Sequence, residues 1–471
     1  MTKLFAYPGY ARFWGADTVS TFGTYITTVA MPTLAVVVLK ASDTQVGLLN
    51  GARWTPYLLF GLLAGVVADR YRRRPILVAT DLVRGTLLAV VAVLAAIHIV
   101  NIYELTGFVF VFGALSLLYD AAHQSYLPRL VPPASLTVAN ARLEQTTALA
   151  QTTGPFLGGS LVAALGAPLA MVIDAVSYLA SGLTLATIRV PEPVPHAESR
   201  NLRNELREGL RFVYKQPIMR AYALTLHARF FFASIIGTVF TLFVLRDLGS
   251  GSPRAAFGLG LVLAAGGVGA VIGNGMSQRL GRDGVGRIMV AERVAEPFAW
   301  SLAALALNGA AGWAMVAGAQ FFAWLALGAS GPNEMAYRQS ATPDRLQGRV
   351  NATVRSLNWG TITFGAPIGG LLAQHLGYRP AMWVGIGGMA VAGVIALLSP
   401  MRRARVTESL VGSGEAGVTE VDASEAGTAG TGTAAGTGVA EAGTAAGTGT
   451  AEAGTAAGTG SAEAGTAEAG A

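Results

Sequence analysis

The chain contains no cysteine and few charged residues. Asp, Glu, Lys and Arg together make up 13% of its 471 residues, about half of the share that is usual in soluble domains. The missing thiols exclude disulfides, iron–sulfur clusters and thiolate zinc sites. Hydrophobic residues make up 52% of the chain, and this composition indicates a protein that lies in a lipid bilayer.

The sequence also lacks a recognisable nucleophile–base set, metal-ligand cluster or glycine-rich phosphate loop. Each of these would be needed for a common class of enzyme. We therefore expect no enzyme activity, no cofactor and no metal site.

Twelve apolar runs are long enough to cross a membrane as helices, which takes roughly 20 residues. They cover about 13–39, 46–68, 75–100, 104–127, 137–165, 168–189, 219–245, 255–280, 286–308, 312–336, 347–376 and 380–399. The sequence thus predicts an all-α integral membrane protein with twelve transmembrane helices.

The basic residues predict the orientation of these spans. With the N-terminus in the cytosol, the outside loops carry only Lys40, Arg246, Arg254 and Arg379. Because cytosolic loops are enriched in Lys and Arg, we expect both termini in the cytosol and the protein in a plasma or inner membrane. The net charge of +6 then reflects contact with anionic lipid, and no nucleic-acid partner is expected.

Two segments of the chain repeat each other. Residues 140–166 and 351–377 align without a gap at an offset of 211. The shared residues are Asn140 and Asn351, Gly158 and Gly369, Gly159 and Gly370, and Gly166 and Gly377. Parallel repeats of six helices build one class of transporter, so we expect pseudo-symmetric six-helix halves at 1–190 and 219–405.

The remaining segments differ from the halves in composition. Residues 191–218 include "LRNELREGLRFVYK", whose helical apolar stripe predicts an amphipathic helix on the cytosolic leaflet; a solvated linker is the alternative. Residues 406–471 are rich in Ala, Gly, Thr and Glu. Such a composition does not bury a core, so we expect a disordered cytosolic tail and assign it no function.

The turn between spans 2 and 3 combines a carboxylate with a basic cluster. In "GVVADRYRRRPILVATD", the residues Gly65, Ala68, Asp69, Arg70, Arg73 and Arg74 resemble the signature of the major facilitator superfamily in this loop. We interpret the loop, with Asp81 and its repeat partner Glu292, as a conformational gate that pairs with the facing half when the cytosolic side closes. The alternative is a topology anchor, which needs only the arginines.

Span 5 contains a second motif, "GPFLGG". Its residues Gly154, Pro155, Gly158 and Gly159 resemble the antiporter motif of exporters in the same superfamily. Proline bends a helix, and small residues allow helices to approach closely. Further small residues, at Gly47, Gly51, Gly61, Gly65, Gly269, Gly273 and "GAPIGG" in span 11, predict a seam that seals and unseals between the halves; generic close packing is the alternative.

Six ionisable residues fall inside the spans, where a charge costs roughly 2.5–3.5 kcal/mol. They are Asp17, Arg53, Asp120, Asp174, Glu296 and Glu334. We expect them to serve coupling or substrate binding, with Glu296 or Asp17 preferred as the proton carrier and Arg53 as an anion partner or internal counter-ion. Gating pairs at Asp120 and Glu334 and a helix tether at Asp174 are the alternatives.

Five aromatic residues lie beside these ionisable positions: Trp54, Tyr57, Phe230, Phe231 and Trp359. Their side chains either line an apolar cavity or face lipid, and the sequence leaves both interpretations open.

Roughly residues 8–400 resemble the enterobactin-exporter and multidrug-efflux branch of the major facilitator superfamily. The resemblance implies a monomeric secondary active exporter of a drug-like compound or siderophore, driven by proton antiport, with substrate, protons and lipid as its partners. An Arg often found in span 4 of drug antiporters is missing. A proton-coupled uptake permease, a lysophospholipid flippase and a non-transporting membrane sensor or scaffold remain alternatives.

Overall fold

The computed structural model describes residues 4–192, 202–252, 254–282 and 284–405. The predicted tail at 406–471 and part of the predicted linker, 193–201, lie outside the described residues. Within the described ranges the chain is helical and contains no strand.

Twelve long helices and one short helix follow one another in the described ranges. Their bounds are α1 Pro8–Thr33 with a π-helical turn Leu34–Val38, α2 Asp43–Arg70, α3 Arg73–Ala96, α4 Ile102–Leu130, α5 Leu136–Leu165, α6 Ala167–Ala186, α7 Leu202–Lys215, α8 Pro217–Leu242 with a π-helical turn Phe243–Leu248, α9 Arg254–Gly281, α10 Val285–Ala304, α11 Gly309–Ser340, α12 Asp344–Leu376 and α13 Tyr378–Leu398. Each predicted span overlaps one long helix, and α7 lies within the predicted linker.

Local sequence explains where several helices start. Ser42 and Gln45 form a capping box at the start of α2, as Asn101 and Glu104 do at the start of α4. Gly166 and Gly377 adopt φ values of +85° and +84°, which glycine tolerates and other residues rarely do. Each therefore reverses the chain in a single residue, between α5 and α6 in one half and between α12 and α13 in the other.

Eight of the twelve long helices in the described ranges are apolar enough to cross a membrane by length and composition alone. The other four are α2, α5, α10 and α12. Helices α2 and α12 pack against each other, and α5 packs against α9, where the two halves meet. Helix α10 carries buried charged residues. Lower hydropathy is expected of helices that face an interior surface rather than lipid.

The bundle has two ends, which we name after residues in its turns. At the Asp43 end α1 leads into α2, and at the Arg73 end α2 leads into α3. One buried hydrophobic cluster at the Asp43 end includes residues of both halves, from Ile26 to Met389. At the Arg73 end the described core divides into two clusters, one formed by residues 4–190 and the other by residues 212–404. The extended core shared by the halves therefore lies at the Asp43 end, and a small cluster of Tyr57, Ala64 and Leu117 packs against Trp359 of the other half nearer the middle of the bundle.

Candidate functional site

The seam between the halves is closed at the Asp43 end by glycines of the repeated motif. A Cβ on Gly159 of α5 would lie 3.1 Å from the Cα of Gly260 in α9. In the other half, a Cβ on Gly370 of α12 would lie 3.0 Å from the Cα of Gly47 in α2. Two equivalent motif positions thus make equivalent contacts across the seam, and only glycine allows backbones to approach so closely.

The neighbouring motif glycines pack inside their own halves. A Cβ on Gly158 would lie 2.9 Å from the Cα of Ile26 in α1, and one on Gly369 would lie 3.0 Å from the Cα of Ile235 in α8. Gly154 faces Tyr25 of α1, and the carbonyl of Pro155 faces Gly260. The "GPFLGG" motif therefore joins α5 to α1 on one face and to α9 on the other.

Two predicted seam positions lie elsewhere. Gly269 and Gly273 of α9 pack on backbone atoms of α11, between Phe321 and Ala329, so they hold helices within one half. Across the seam, α9 instead uses Gly260 and Gly267. Helical spacing alone identifies small residues but does not show which neighbouring helix each one faces.

The seam contacts end before the Arg73 end is reached. Gly61 of α2 still faces Ser356 of α12, but Gly65, one turn further on, has no atom within 4 Å of an added Cβ. On the opposite side of the bundle, Gly267 faces Thr152, whereas Gly275 has no such neighbour. The two helix pairs thus separate toward the Arg73 end.

Polar contacts also hold the halves together at the Asp43 end. Arg246, after α8, pairs with the Asp43 carboxylate and donates to the Ala41 carbonyl. The Tyr378 hydroxyl lies 3.4 Å from the same carboxylate. Deeper in the seam, Asn50 donates to the Thr238 hydroxyl at 3.0 Å. Within the described residues, all hydrogen bonds between the halves lie toward this end.

In the described ranges, the basic loop at the Arg73 end forms hydrogen bonds and ion pairs with its own half and with Glu192, just beyond that half. The Arg73 backbone N–H donates to Glu192 at 2.7 Å, and its guanidinium lies 3.6 Å from that carboxylate. The Arg74 guanidinium donates to the Leu185 and Ala186 carbonyls, and Arg70 is exposed. Asp69 lies in the last turn of α2, and its side chain lies outside what the structure describes.

Asp81 and Glu292 lie away from this loop, inside their halves. Asp81 is fully buried on α3, where it pairs with Arg84 and accepts a hydrogen bond from Ser181 at 2.6 Å. The Arg84 guanidinium lies 4.3 Å from the centroid of the Tyr119 ring and 4.6 Å from that of Tyr178. Arg84 thus joins α3, α4 and α6 through one buried cation.

The other half contains a larger buried ion cluster, formed by Arg229, Glu292, Arg293, Glu296 and Glu334. The Arg229 guanidinium binds Glu296 with two contacts of 2.6 and 2.8 Å, and it lies 2.9 Å from Glu292. Arg293 pairs with Glu292 and, at 2.9 Å, with Glu334. Three carboxyl groups therefore share two guanidinium groups inside the protein.

The remaining predicted acids have separate environments. Asp17 of α1 lies 2.9 Å from the His123 ring of α4. Asp120 accepts a hydrogen bond from the Tyr57 hydroxyl at 3.0 Å. Asp174 accepts hydrogen bonds from Thr27 and Ser177, with no cation within 4 Å among the described residues. Through the Thr27 hydroxyl, Asp174 connects α6 to α1.

Three of the five predicted aromatic residues meet across the seam. The Trp359 ring of α12 lies 5.1 Å from Trp54 and 4.6 Å from Tyr57, both on α2. Arg53 lies 5.6 Å from the Trp54 ring and Arg355 lies 5.6 Å from the Trp359 ring. Phe230 and Phe231 lie outside this cluster: Phe230 lies beside Arg229, and Phe231 packs on Phe232.

Sequence reasoning did not include four arginines among the site residues: Arg84, Arg229, Arg293 and Arg355. All four lie within helices that the sequence predicts to cross the bilayer. A buried cation needs a compensating anion, so their position was a usable signal. Arg84 and Arg293 each pair with a carboxylate on their own helix, whereas Arg229 pairs with carboxylates of α10 and Arg293 also pairs with Glu334 of α11. The contacts between helices could not be assigned before the packing was known.

Two halves of six long helices, a glycine-lined seam and buried ion clusters define a multi-pass membrane transporter. More closely, the chain belongs to the transmembrane secretion effector family of the major facilitator superfamily, because that family's model matches residues 4–422. The family and the neighbouring structures are transporters and not enzymes.

Several transporters are similar to this chain in sequence. The chain is 24% identical over 421 residues to the uncharacterised MFS-type transporter YfiS of Bacillus subtilis, covering 86% of this chain and 97% of that protein. It is 29% identical over 213 residues to the multidrug efflux pump Tap of Mycobacterium tuberculosis, covering 43% of this chain and 50% of that pump. The second likeness thus spans about half of each protein.

Solved structures share the fold at low identity. A bacterial homologue of the human lysosomal transporter Spinster, in an inward-facing conformation, superposes with a TM-score of 0.66 at 15% identity, covering 85% of this chain and 99% of that one. The nucleoside transporter NupG superposes with a TM-score of 0.67 at 11% identity, covering 83% and 98%. These likenesses establish the major facilitator fold.

Proposed function

We propose that this protein is a secondary active exporter of an amphipathic small molecule, such as a drug-like compound or a siderophore. It would exchange its substrate for protons across a bacterial plasma or inner membrane by alternating access. The Arg73 end would face the cytosol, since the sequence places most basic residues on that side and cytosolic loops of membrane proteins are enriched in them.

One observation carries the proposal: the halves share a core and a glycine seam at the Asp43 end and separate toward the Arg73 end. In the proposed orientation this is a state closed to the outside and open to the cytosol. An exporter loads its substrate in such a state. Rocking the halves about the middle of the seam would open the Asp43 end for release.

The five-residue ion cluster supports proton coupling. With every group ionised, Arg229 and Arg293 leave one of the three carboxylates without a compensating charge. A net charge inside the membrane is costly, so binding of one proton would make the cluster neutral. Alternation between these two charge states would give the two conformations different energies, which is the requirement for coupling.

Efflux relatives support the direction of transport. Half of the multidrug pump Tap is similar to this chain, and the macrolide efflux protein A of Streptococcus pyogenes is 22% identical over 200 residues. Export is therefore favoured over the uptake permease that has the same fold.

A compound-panel efflux assay in a pump-deficient bacterial host tests this function. Cells that express the protein should lose at least one preloaded amphipathic compound faster than cells with an empty vector, and a protonophore should abolish the difference. Efflux that persists after the proton gradient collapses would contradict antiport, and faster accumulation would indicate uptake.

Glu296→Gln separates coupling from transport. We expect slower gradient-driven efflux, because the two remaining carboxyl groups balance the two guanidiniums and no proton is needed. Exchange of labelled for unlabelled substrate without a gradient should continue. Glu104→Gln, at an exposed capping position of α4, is the matched control and should behave as wild type.

A further inference from the structure

Two arginines within the membrane-spanning part of the seam have no carboxylate partner. Arg53 on α2 and Arg355 on α12 are each partly exposed, and no described carboxylate lies within 4 Å of either guanidinium. By contrast, the buried arginines Arg84, Arg229 and Arg293 each pair with at least one carboxylate. An intramembrane cation is costly and is retained where it has a task.

Both guanidiniums flank the aromatic cluster that joins the halves. Arg53 lies 5.6 Å from the centroid of the Trp54 ring, Trp54 lies 5.1 Å from Trp359, and Arg355 lies 5.6 Å from Trp359. The order across the seam is therefore cation, indole, indole, cation. Cation–π contacts stabilise such arginines in part while leaving their N–H groups free to donate.

The carboxylates that interact electrostatically with these guanidiniums lie beyond ion-pair distance. Asp120 lies close enough to Arg355 to interact with it electrostatically, but its carboxylate is bound to the Tyr57 hydroxyl at 3.0 Å. Around Arg53, the electrostatic neighbours include the Tyr25 hydroxyl of α1 and Asp174 of α6, which Thr27 and Ser177 already bind. Asp120 and Asp174 thus form no ion pair with the two guanidiniums, whose N–H groups can donate to an anionic ligand.

We propose that the transported molecule is an amphipathic anion with a flat aromatic part. Its acidic group binds Arg53 or Arg355, and its ring packs against Trp54 and Trp359. Guanidinium groups suit carboxylate, sulfonate and phosphate geometry, and the indoles supply the apolar surface. This inference rests on the proposed transport function, and it names the substrate class at the same site.

Binding of three matched pyrene probes to the purified, detergent-solubilised protein tests the substrate class without any transport step. The probes are 1-pyrenebutyrate, 1-pyrenebutanol and 1-pyrenebutylamine, which share a ring and differ in charge. Energy transfer from tryptophan to pyrene reports binding. We expect the anion to bind about tenfold more tightly than the alcohol, equivalent to about 1.4 kcal/mol, and the cation to bind most weakly.

Arg53→Gln and Arg355→Gln identify the groups responsible. At least one of them should bring the affinity for pyrenebutyrate close to that of the alcohol while leaving the affinity for the alcohol unchanged, which also shows that the variant is folded. Arg379→Gln is the matched control, because Arg379 also lies beside an aromatic ring, 5.7 Å from Phe243, at the Asp43 end. Octanoate, an anion without a ring, should compete poorly.

Equal affinity for the three probes, or tighter binding of the amine, would overturn the anion assignment. Strong competition by octanoate would overturn the aromatic part and indicate an acyl-chain substrate. Either result would leave the exporter proposal standing if protonophore-sensitive efflux is observed, so the two proposals fail separately.

Discussion

Gly159 of α5 lies so close to Gly260 of α9 that a Cβ on Gly159 would be 3.1 Å from the Gly260 Cα and 2.6 Å from the Ala256 carbonyl oxygen. Gly370 and Gly47 have the same relationship on the other side of the bundle. The two contacts close one end of the seam with backbone against backbone. Any larger side chain at these positions must push the halves apart.

Gly159→Leu should therefore hold the Asp43 end open. Overpacking costs typically about 1–3 kcal/mol, which corresponds to a shift of about 5- to 150-fold in a two-state equilibrium. The chain has no cysteine, so labelling of Thr44→Cys by an impermeant maleimide added outside measures the opening. Labelling should become faster and efflux should fall.

Gly275→Leu is the control for that substitution. Gly275 lies on the same helix as Gly260, but an added Cβ there meets no atom within 4 Å. Its labelling rate should match that of the Thr44→Cys parent. Equal labelling rates in the Gly159→Leu and Gly275→Leu variants would mean that the contact between Gly159 and Gly260 does not control opening of the Asp43 end.

Asp43 and Arg246 should be energetically coupled, because they form an ion pair between the halves. Asp43→Asn and Arg246→Gln should each increase outside labelling, and the double variant should show less than the sum of the two effects. Contacting residues show interaction energies of about 0.5–3 kcal/mol. Strict additivity in this double-mutant cycle would exclude the pair as a latch.

Arg229 should be required for the stability of the C-terminal half. Arg229→Met would leave Glu296 and part of the charge of Glu292 without a partner, and breaking a buried pair costs roughly 3–5 kcal/mol. Thermal unfolding in detergent should shift to lower temperature, and adding Glu296→Gln should recover part of the loss. Arg287→Met, at an exposed position of α10, the helix that carries Glu292 and Glu296, should have little effect.

The attachment of α7 should depend on pH through Glu208. Its carboxylate binds Arg345 at 2.7 Å and also pairs with Arg349, and the hydrogen bond from Arg345 lowers the Glu208 pKa below its ordinary value of 4.5. Because the pKa of Glu208 is lower in the folded state, its ion pairs stabilise the attached α7 at pH values above the unfolded-state pKa. This stabilisation is lost as the pH falls through the folded-state pKa. At neutral pH the attachment should be complete.

Hydrogen exchange of α7 measures this attachment. Glu208→Gln should raise exchange in α7 at pH 7 to the level that wild type reaches only in acid. Glu104→Gln serves again as the control for an exposed glutamate. Unchanged exchange in Glu208→Gln would show that packing of the buried Val213 holds α7 without the ion pairs.

Much of the fold could be predicted from the sequence, because a bilayer imposes long apolar helices and the repeat imposes two similar halves. The long helices follow the predicted spans, and the glycines at 159 and 370 were identifiable from the repeat. The distribution of Lys and Arg predicts how the helices are oriented in the membrane, and this orientation stays a prediction.

The candidate site was less accessible to sequence reasoning, because partners lie on different helices. The sequence predicts Glu296 as a proton carrier, but its partner Arg229 is 67 residues away in the chain. Asp81 and Glu292 were grouped with the basic loop, whereas the structure pairs them inside their halves. The sequence singles out Arg53, Trp54 and Trp359 individually, and only the packing places the two indoles between Arg53 and Arg355.

The central claim is that the Asp43 end of the seam must open during transport, and a reversible cross-link tests it most directly. The Thr44 backbone N–H lies 3.3 Å from the Gln374 side-chain oxygen across the seam, so Thr44→Cys and Gln374→Cys can be joined by a short bifunctional methanethiosulfonate. We predict that cross-linking stops efflux, that a reducing agent restores it, and that neither single-cysteine variant responds. Continued efflux by the fully cross-linked protein would contradict the account.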